Sequence, residues 1–119
     1  MTPDQYRTQQ AKSMSEDDLL GHVLTIAAGL QLLVHHCRPA RQKDGTWRTP
    51  IQGDAGFPDL VIVGTRGTAY RELKRQDGRP TAPQRRWLAY LTASGQNART
   101  WRPADLVDGT ILAELKELT

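Results

Sequence analysis

The sequence predicts an α/β sandwich, a short mixed sheet flanked by helices, and three observations predict it. Two segments open on capping residues, Ser15 and Thr81, and carry apolar side chains at helical spacing behind them. Between them the apolar run Leu60–Val63 meets the turn Gly64-Thr65-Arg66-Gly67, and Thr68–Lys74 returns from it as the second arm of a hairpin. The order of elements is helix, strand, strand, strand, helix, strand, helix, which layers helices on a sheet.

The chain has 119 residues, the length of one domain. We divide it into a polar N-terminal segment, residues 1–14, and a single domain over 15–119. Hydrophobic content of 38% supplies a modest core. A net charge of +3 biases the protein toward polyanions, although where the charge sits matters more than its sum. The single cysteine, Cys37, excludes an intramolecular disulfide and a cysteine-rich zinc site, and it fits a reducing cytoplasm. No apolar run approaches the ~20 residues of a membrane span, and the first residues lack the apolar segment of a signal peptide. A cytoplasmic protein with no membrane partner and no organic cofactor is expected.

Each element has a local cause. Thr2-Pro3-Asp4-Gln5 has the pattern of a helix start. Ser15 caps the first long helix, with Glu16, Asp17 and Asp18 against its dipole. Leu19, Leu20, Val23, Leu24, Ala27 and Leu30 form its apolar face, and Gly29 ends it. Glu16 is explained by the dipole alone; Asp17 and Asp18 read as solvated. Leu30–Arg38 is the first strand, closing on His35 and His36. Residues 38–55 form a long polar connection with Arg38, Arg41, Lys43, Arg48 and Trp47, a composition suited either to nucleic-acid contact or to an ordinary solvated loop.

Leu60–Val63 reads as a strand buried on both faces. Thr81 and Gln84 form a capping box, Trp87, Leu88 and Leu91 the buried stripe, and Gly95 the stop. Arg85 and Arg86 stand in the first turn, where the dipole disfavours cations and a bound phosphate would offset the cost. Asn97–Arg102 is the last strand, with Trp101 in the core. A terminal helix follows Pro103, with a break expected at Asp108-Gly109.

The chemistry concentrates on the hairpin. Side chains alternate along a strand, so Glu72 and Lys74 share a side, and the hairpin can bring Asp59 beside them. Two carboxylates ~5 Å apart repel by roughly 3 kcal/mol at an effective dielectric of 20. A divalent cation reverses the sign, and an oxygen-only ligand set suits Mg²⁺ or Mn²⁺. The alternative is a solvated Glu72–Lys74 ion pair, with Asp59 merely following a turn proline.

Pro58-Asp59, then residues 60–71, then Glu72-Leu73-Lys74 resembles the PD-(D/E)XK nuclease signature. With Gly56-Phe57 before it and Gln84 after it, the stretch is similar to the VRR-NUC branch, which includes small phage-type enzymes resembling Holliday junction resolvases. The resemblance implies a restriction-endonuclease-like αβββαβ fold with an extra C-terminal helix. It implies a DNA endonuclease dependent on Mg²⁺ or Mn²⁺, acting on branched DNA as a homodimer. Asp59, Glu72, Lys74 and Gln84 would be catalytic. Asp59, Glu72, the Leu73 carbonyl and Glu16 would hold metal. His36 would join Arg38, Arg41, Lys43, Arg48, Arg85 and Arg86 in contacting nucleic acid. A binding module that has lost turnover, or one that works only beside a partner, is the competing expectation. One tension accompanies Gln84, because a single amide must reach both its own cap and the metal site. Arg71 departs from the family pattern, and an open face or an edge strand would explain it.

Overall fold

A computed structural model describes residues 1–37, 40–41, 43–48 and 51–119. The helix α1 (Pro3–Ser13) starts on a Thr2–Gln5 capping box. It packs against the short helix α4 (Pro103–Val107), burying Ala11, and Met14 beyond it joins the core. Ser15 caps α2 (Glu16–Gly29), and its capping-box partner is Asp18, whose Oδ2 accepts from the Ser15 amide at 3.1 Å. Asp18 is therefore a cap residue, and these bonds hold its carboxyl below the usual range. Glu16, not used by the cap, stays exposed.

α2 ends at Gly29, but the left-handed residue is Gln31, at φ 59°. The Leu32 amide donates to the Ala27 carbonyl at 2.9 Å and the Gln31 amide to Ala28 at 3.0 Å, a Schellman closure that seats Leu32 in the core. The chain spends residues 30–32 on that closure, so the first strand, β1 (Leu33–His36), starts later than predicted. Part of the long connection forms a two-stranded ribbon, β2 (Ala40–Arg41) with β3 (Trp47–Arg48), where a loop was expected. The Asp44 carboxylate accepts from the Thr46 amide and hydroxyl to shape its turn.

The main sheet has the order β1-β4-β5-β6, with β4 (Leu60–Gly64) and β5 (Gly67–Leu73) as the predicted hairpin. β1, β4 and β5 are antiparallel; β6 (Asn97–Trp101) runs parallel to β5 after the crossover through α3 (Ala82–Ala93). One face carries the core: Leu60, Ile62, Ala69, Leu73 and Trp101 pack with Leu19, Leu20, Val23 and Ala27 of α2 and Ile111 and Leu115 of α5 (Thr110–Lys116). Gly109, at φ 87°, makes the predicted break before α5.

β4 is not buried on both faces. Leu60 and Ile62 are buried, while Val61 is half-buried and Val63 is 37% exposed. On the other face α3 lies over the β6 end of the sheet. It buries no residue completely; Trp87, Leu88 and Leu91 are half-buried.

Arg71 lies neither at an open face nor on an edge strand. β5 is interior to the sheet, and Arg71 is 1% exposed. Its guanidinium stacks 4.9 Å from the Trp101 ring and donates to the Tyr70 and Asn97 carbonyls, to Asn97 Oδ1 and to Glu114 Oε1 at 3.0 Å. Glu114 also accepts from Trp101 Nε1 at 2.9 Å and Arg99 Nη1 at 2.7 Å. Burial works against the charge of Arg71, and Glu114 works to keep it.

Candidate active site

Leu60 pairs with Arg71 across the hairpin, so the next step of the register sets Asp59 beside Glu72 on the face opposite the core. Asp59 is fixed by the end of the neighbouring strand: its Oδ2 accepts from the Leu73 amide at 2.8 Å. On the other flank, His36 Nδ1 lies 3.0 Å from the Asp59 carbonyl. A carbonyl only accepts, so Nδ1 carries a proton and donates it.

Glu72 is 1% exposed. Its Oε1 accepts from Gln84 Nε2 at 2.9 Å and lies 3.7 Å from Lys74 Nζ. Its Oε2 is buried without a hydrogen-bond partner. Burial, then the neighbouring Asp59 charge, pushes the Glu72 carboxyl up to about 8, with Lys74 opposing. An orphaned carboxylate oxygen beside a second carboxylate is the deficit that a cation satisfies, so the residues present fit Mg²⁺ or Mn²⁺.

Gln84 resolves the tension set by the sequence. Its Oε1 accepts from the Thr81 amide at 2.8 Å while its Nε2 donates to Glu72. The two ends of one amide do the two jobs without compromise. The loop before Asp59 is pressed onto the start of the same helix. Gly56, at φ 101°, lies so close that a Cβ there would stand 2.5 Å from the Pro83 carbonyl carbon. Trp87 Nε1 donates to the Asp54 and Ala55 carbonyls at 3.2 and 3.1 Å. Phe57 sits edge-on between Trp87 and Tyr70, with centroids 5.0 and 6.2 Å away. Phe57 and Trp87 thus position the loop that delivers Asp59. The sequence places Trp87 in the apolar stripe of its helix, and no local signal distinguishes its indole N–H as a strut.

A cavity of about 1070 Å³ opens over this constellation, lined by Asp59, Leu73 and Gln84 with Glu16 and His36. Glu72 and Lys74 do not line it; Glu72 reaches it through its neighbours. Glu16 stands in the same cavity, but among the described residues no three His, Cys, Asp or Glu side chains gather as a ligand cluster. Of the basic candidates, Lys43 is exposed near the ribbon turn. Arg38 lies outside the described residues, and Arg41 and Arg48 are described as backbone of the ribbon alone. Arg85 Nη1 bonds the Pro80 carbonyl at 2.6 Å, and the Arg86 guanidinium lies 5.5 Å from the Tyr90 ring centre.

No family model and no curated protein matches the chain. A solved structure described as a VRR_NUC domain superposes with a TM-score of 0.57 over 82% of this chain and 96% of its own, at 22% sequence identity. The likeness is one of fold: a mixed sheet of order β1-β4-β5-β6 flanked by helices, the α/β sandwich of that VRR_NUC domain.

Proposed function

We propose that the protein is a VRR-NUC-type endodeoxyribonuclease dependent on Mg²⁺ or Mn²⁺ and selective for branched DNA. The observation that carries this reading is Glu72, a carboxylate buried beside Asp59 with one oxygen unpartnered and a lysine 3.7 Å from the other. Asp59 and Glu72 would hold the ion, with the Leu73 carbonyl and Glu16 as further ligands. The ion would supply Lewis-acid polarisation of the scissile phosphate.

The chain's own groups do the rest. Lys74 presents N–H donors to the attacking water and to the charge that grows on phosphorus oxygens. Gln84 holds Glu72 in the rotamer that faces Asp59. His36, with Nδ1 committed to the Asp59 carbonyl, lines the cavity where the substrate would sit. Water adds to phosphorus and gives up a proton to solvent, the bond to the 3′ oxygen breaks and that oxygen takes up a proton, leaving a 5′ phosphate and a 3′ hydroxyl. Arg85, Arg86 and the ribbon cations bind backbone phosphates, a mode suited to DNA shape over sequence. Paired incision of a four-way junction requires two sites related by a dyad, and hence a homodimer.

The test compares a four-way junction, a flap and a linear duplex in Mg²⁺, Mn²⁺ and EDTA while mass is measured in solution. Expected are metal-dependent cutting of branched DNA and a loss of roughly 10²–10⁴-fold in Lys74→Met. A folded wild type inert on every substrate would leave a binding module, alone or beside a partner, as the function.

A further inference from the structure

We propose that the groove beside Tyr90 is a stacking subsite for an unpaired base of the DNA strand whose phosphate enters the neighbouring cavity. This course of the strand rests on the nuclease reading. The groove has a volume of about 510 Å³ and is walled by Ala55, Pro83, Arg86, Trp87 and Tyr90. That volume lies within the roughly 300–1,000 Å³ of small-ligand clefts. It shares Asp54, Ala55 and Trp87 with the larger cavity over Asp59, so the two are neighbours on one surface.

Tyr90 is 65% exposed, although α3 uses its aromatic Trp87 as a strut. The Arg86 guanidinium lies over the Tyr90 ring, 5.5 Å from its centre, and makes no ion pair with a described residue. A planar cation held over the Tyr90 ring is a flat platform on which a base stacks while the adjoining phosphate meets the charge. The occupant is therefore a base, with its phosphate on the Arg86 side. A paired duplex exposes no free base face along its length. The subsite consequently selects DNA with an unpaired strand, such as a flap or a frayed branch, over a junction whose arms are fully paired.

The experiment measures binding of the full chain in EDTA to two fluorescein-labelled hairpins, one blunt and one with a single-stranded tail containing 2-aminopurine. Tyr90→Ala is expected to weaken binding of the tailed hairpin about tenfold and the blunt one less than twofold. Tyr90→Phe is expected to restore wild-type affinity. The 2-aminopurine fluorescence falls on binding to wild type and not on binding to Tyr90→Ala. Because the side chain is largely exposed, these variants fold. Unchanged binding of the tailed hairpin by Tyr90→Ala, or equal losses on both hairpins, overturns the subsite. Cutting in Mg²⁺ is scored separately: a wild type that never cuts yet shows the Tyr90 pattern supports the subsite and overturns the nuclease reading.

Discussion

Replacing Glu72 by glutamine should stabilise the metal-free protein at alkaline pH. The Glu72 carboxyl is pushed from an ordinary value of 4.5 to about 8, first by burial and then by Asp59. Between those values the folded protein holds a proton that the unfolded chain has released. Stability therefore falls as pH rises through this window, by about 1.4 kcal/mol for each pH unit. The loss reaches roughly 3 kcal/mol at pH 7 and about 5 kcal/mol above pH 8 on the same scale. Glutamine carries no proton to lose. Its carbonyl can still accept from Gln84, and its amide N–H₂ replaces the orphaned oxygen with a donor toward Asp59. Denaturant melts of both proteins in EDTA from pH 5 to 9 measure the difference directly. The glutamine variant should draw ahead as pH rises. Mg²⁺ should then stabilise wild type increasingly toward pH 8, because the ion binds the ionised form, and leave the variant little changed. Parallel stability curves in EDTA would refute the claim that Glu72 is held at a cost.

Three further substitutions probe the supports of the site. Gly56→Ala must relieve both a positive φ and a Cβ 2.5 Å from the Pro83 carbonyl carbon, so a loss of about 2–4 kcal/mol is expected in denaturant melts; a loss below about 1 kcal/mol would mean the loop is not seated on α3. Glu114→Ala strands the Arg71 charge in the core and should cost about 3–5 kcal/mol, whereas Arg71→Met, which removes the buried charge itself, should cost far less. Gln84→Ala loses a cap worth about 1 kcal/mol together with the hydrogen bond to Glu72; full cutting activity in its folded fraction would reduce Gln84 to a cap alone.

What could be read from the sequence was local or one hairpin away. Ser15 and Thr81 announce their helices because a cap needs only its next three residues. Asp59 and Glu72 could be brought together because a four-residue turn fixes the register between them. The burial of Arg71 could not, since its partner Glu114 lies 43 residues on, in a helix whose docking only the tertiary fold determines. The ribbon escaped notice because strands of two residues have no period. Val63 misled for a related reason: an apolar run shows that a strand can be buried, and what packs on each face decides whether both faces are. Gln84 was underestimated by counting one residue as one contact.

The two neighbours Arg71 and Glu72 bear on whether the strain at the site is incidental. Both are buried to 1% exposure on one strand, pointing to opposite faces. Around Arg71 the fold gathers Glu114, Asn97, two carbonyls and an indole face, and only Nε goes without a partner. Around Glu72 it provides one amide and a lysine at 3.7 Å, sets another carboxylate alongside, and leaves an oxygen bare. A carboxylate with no task would be relieved by a single nearby hydroxyl or amide, and the same strand shows that this fold supplies such partners readily. The groups placed near Glu72 instead hold it still: Gln84 fixes its orientation, and Asp59 is locked to the Leu73 amide. Rigidity without a fixed counter-charge is what a cation-binding pair requires, because a cation can then displace the proton and take up a preorganised pair of carboxylates.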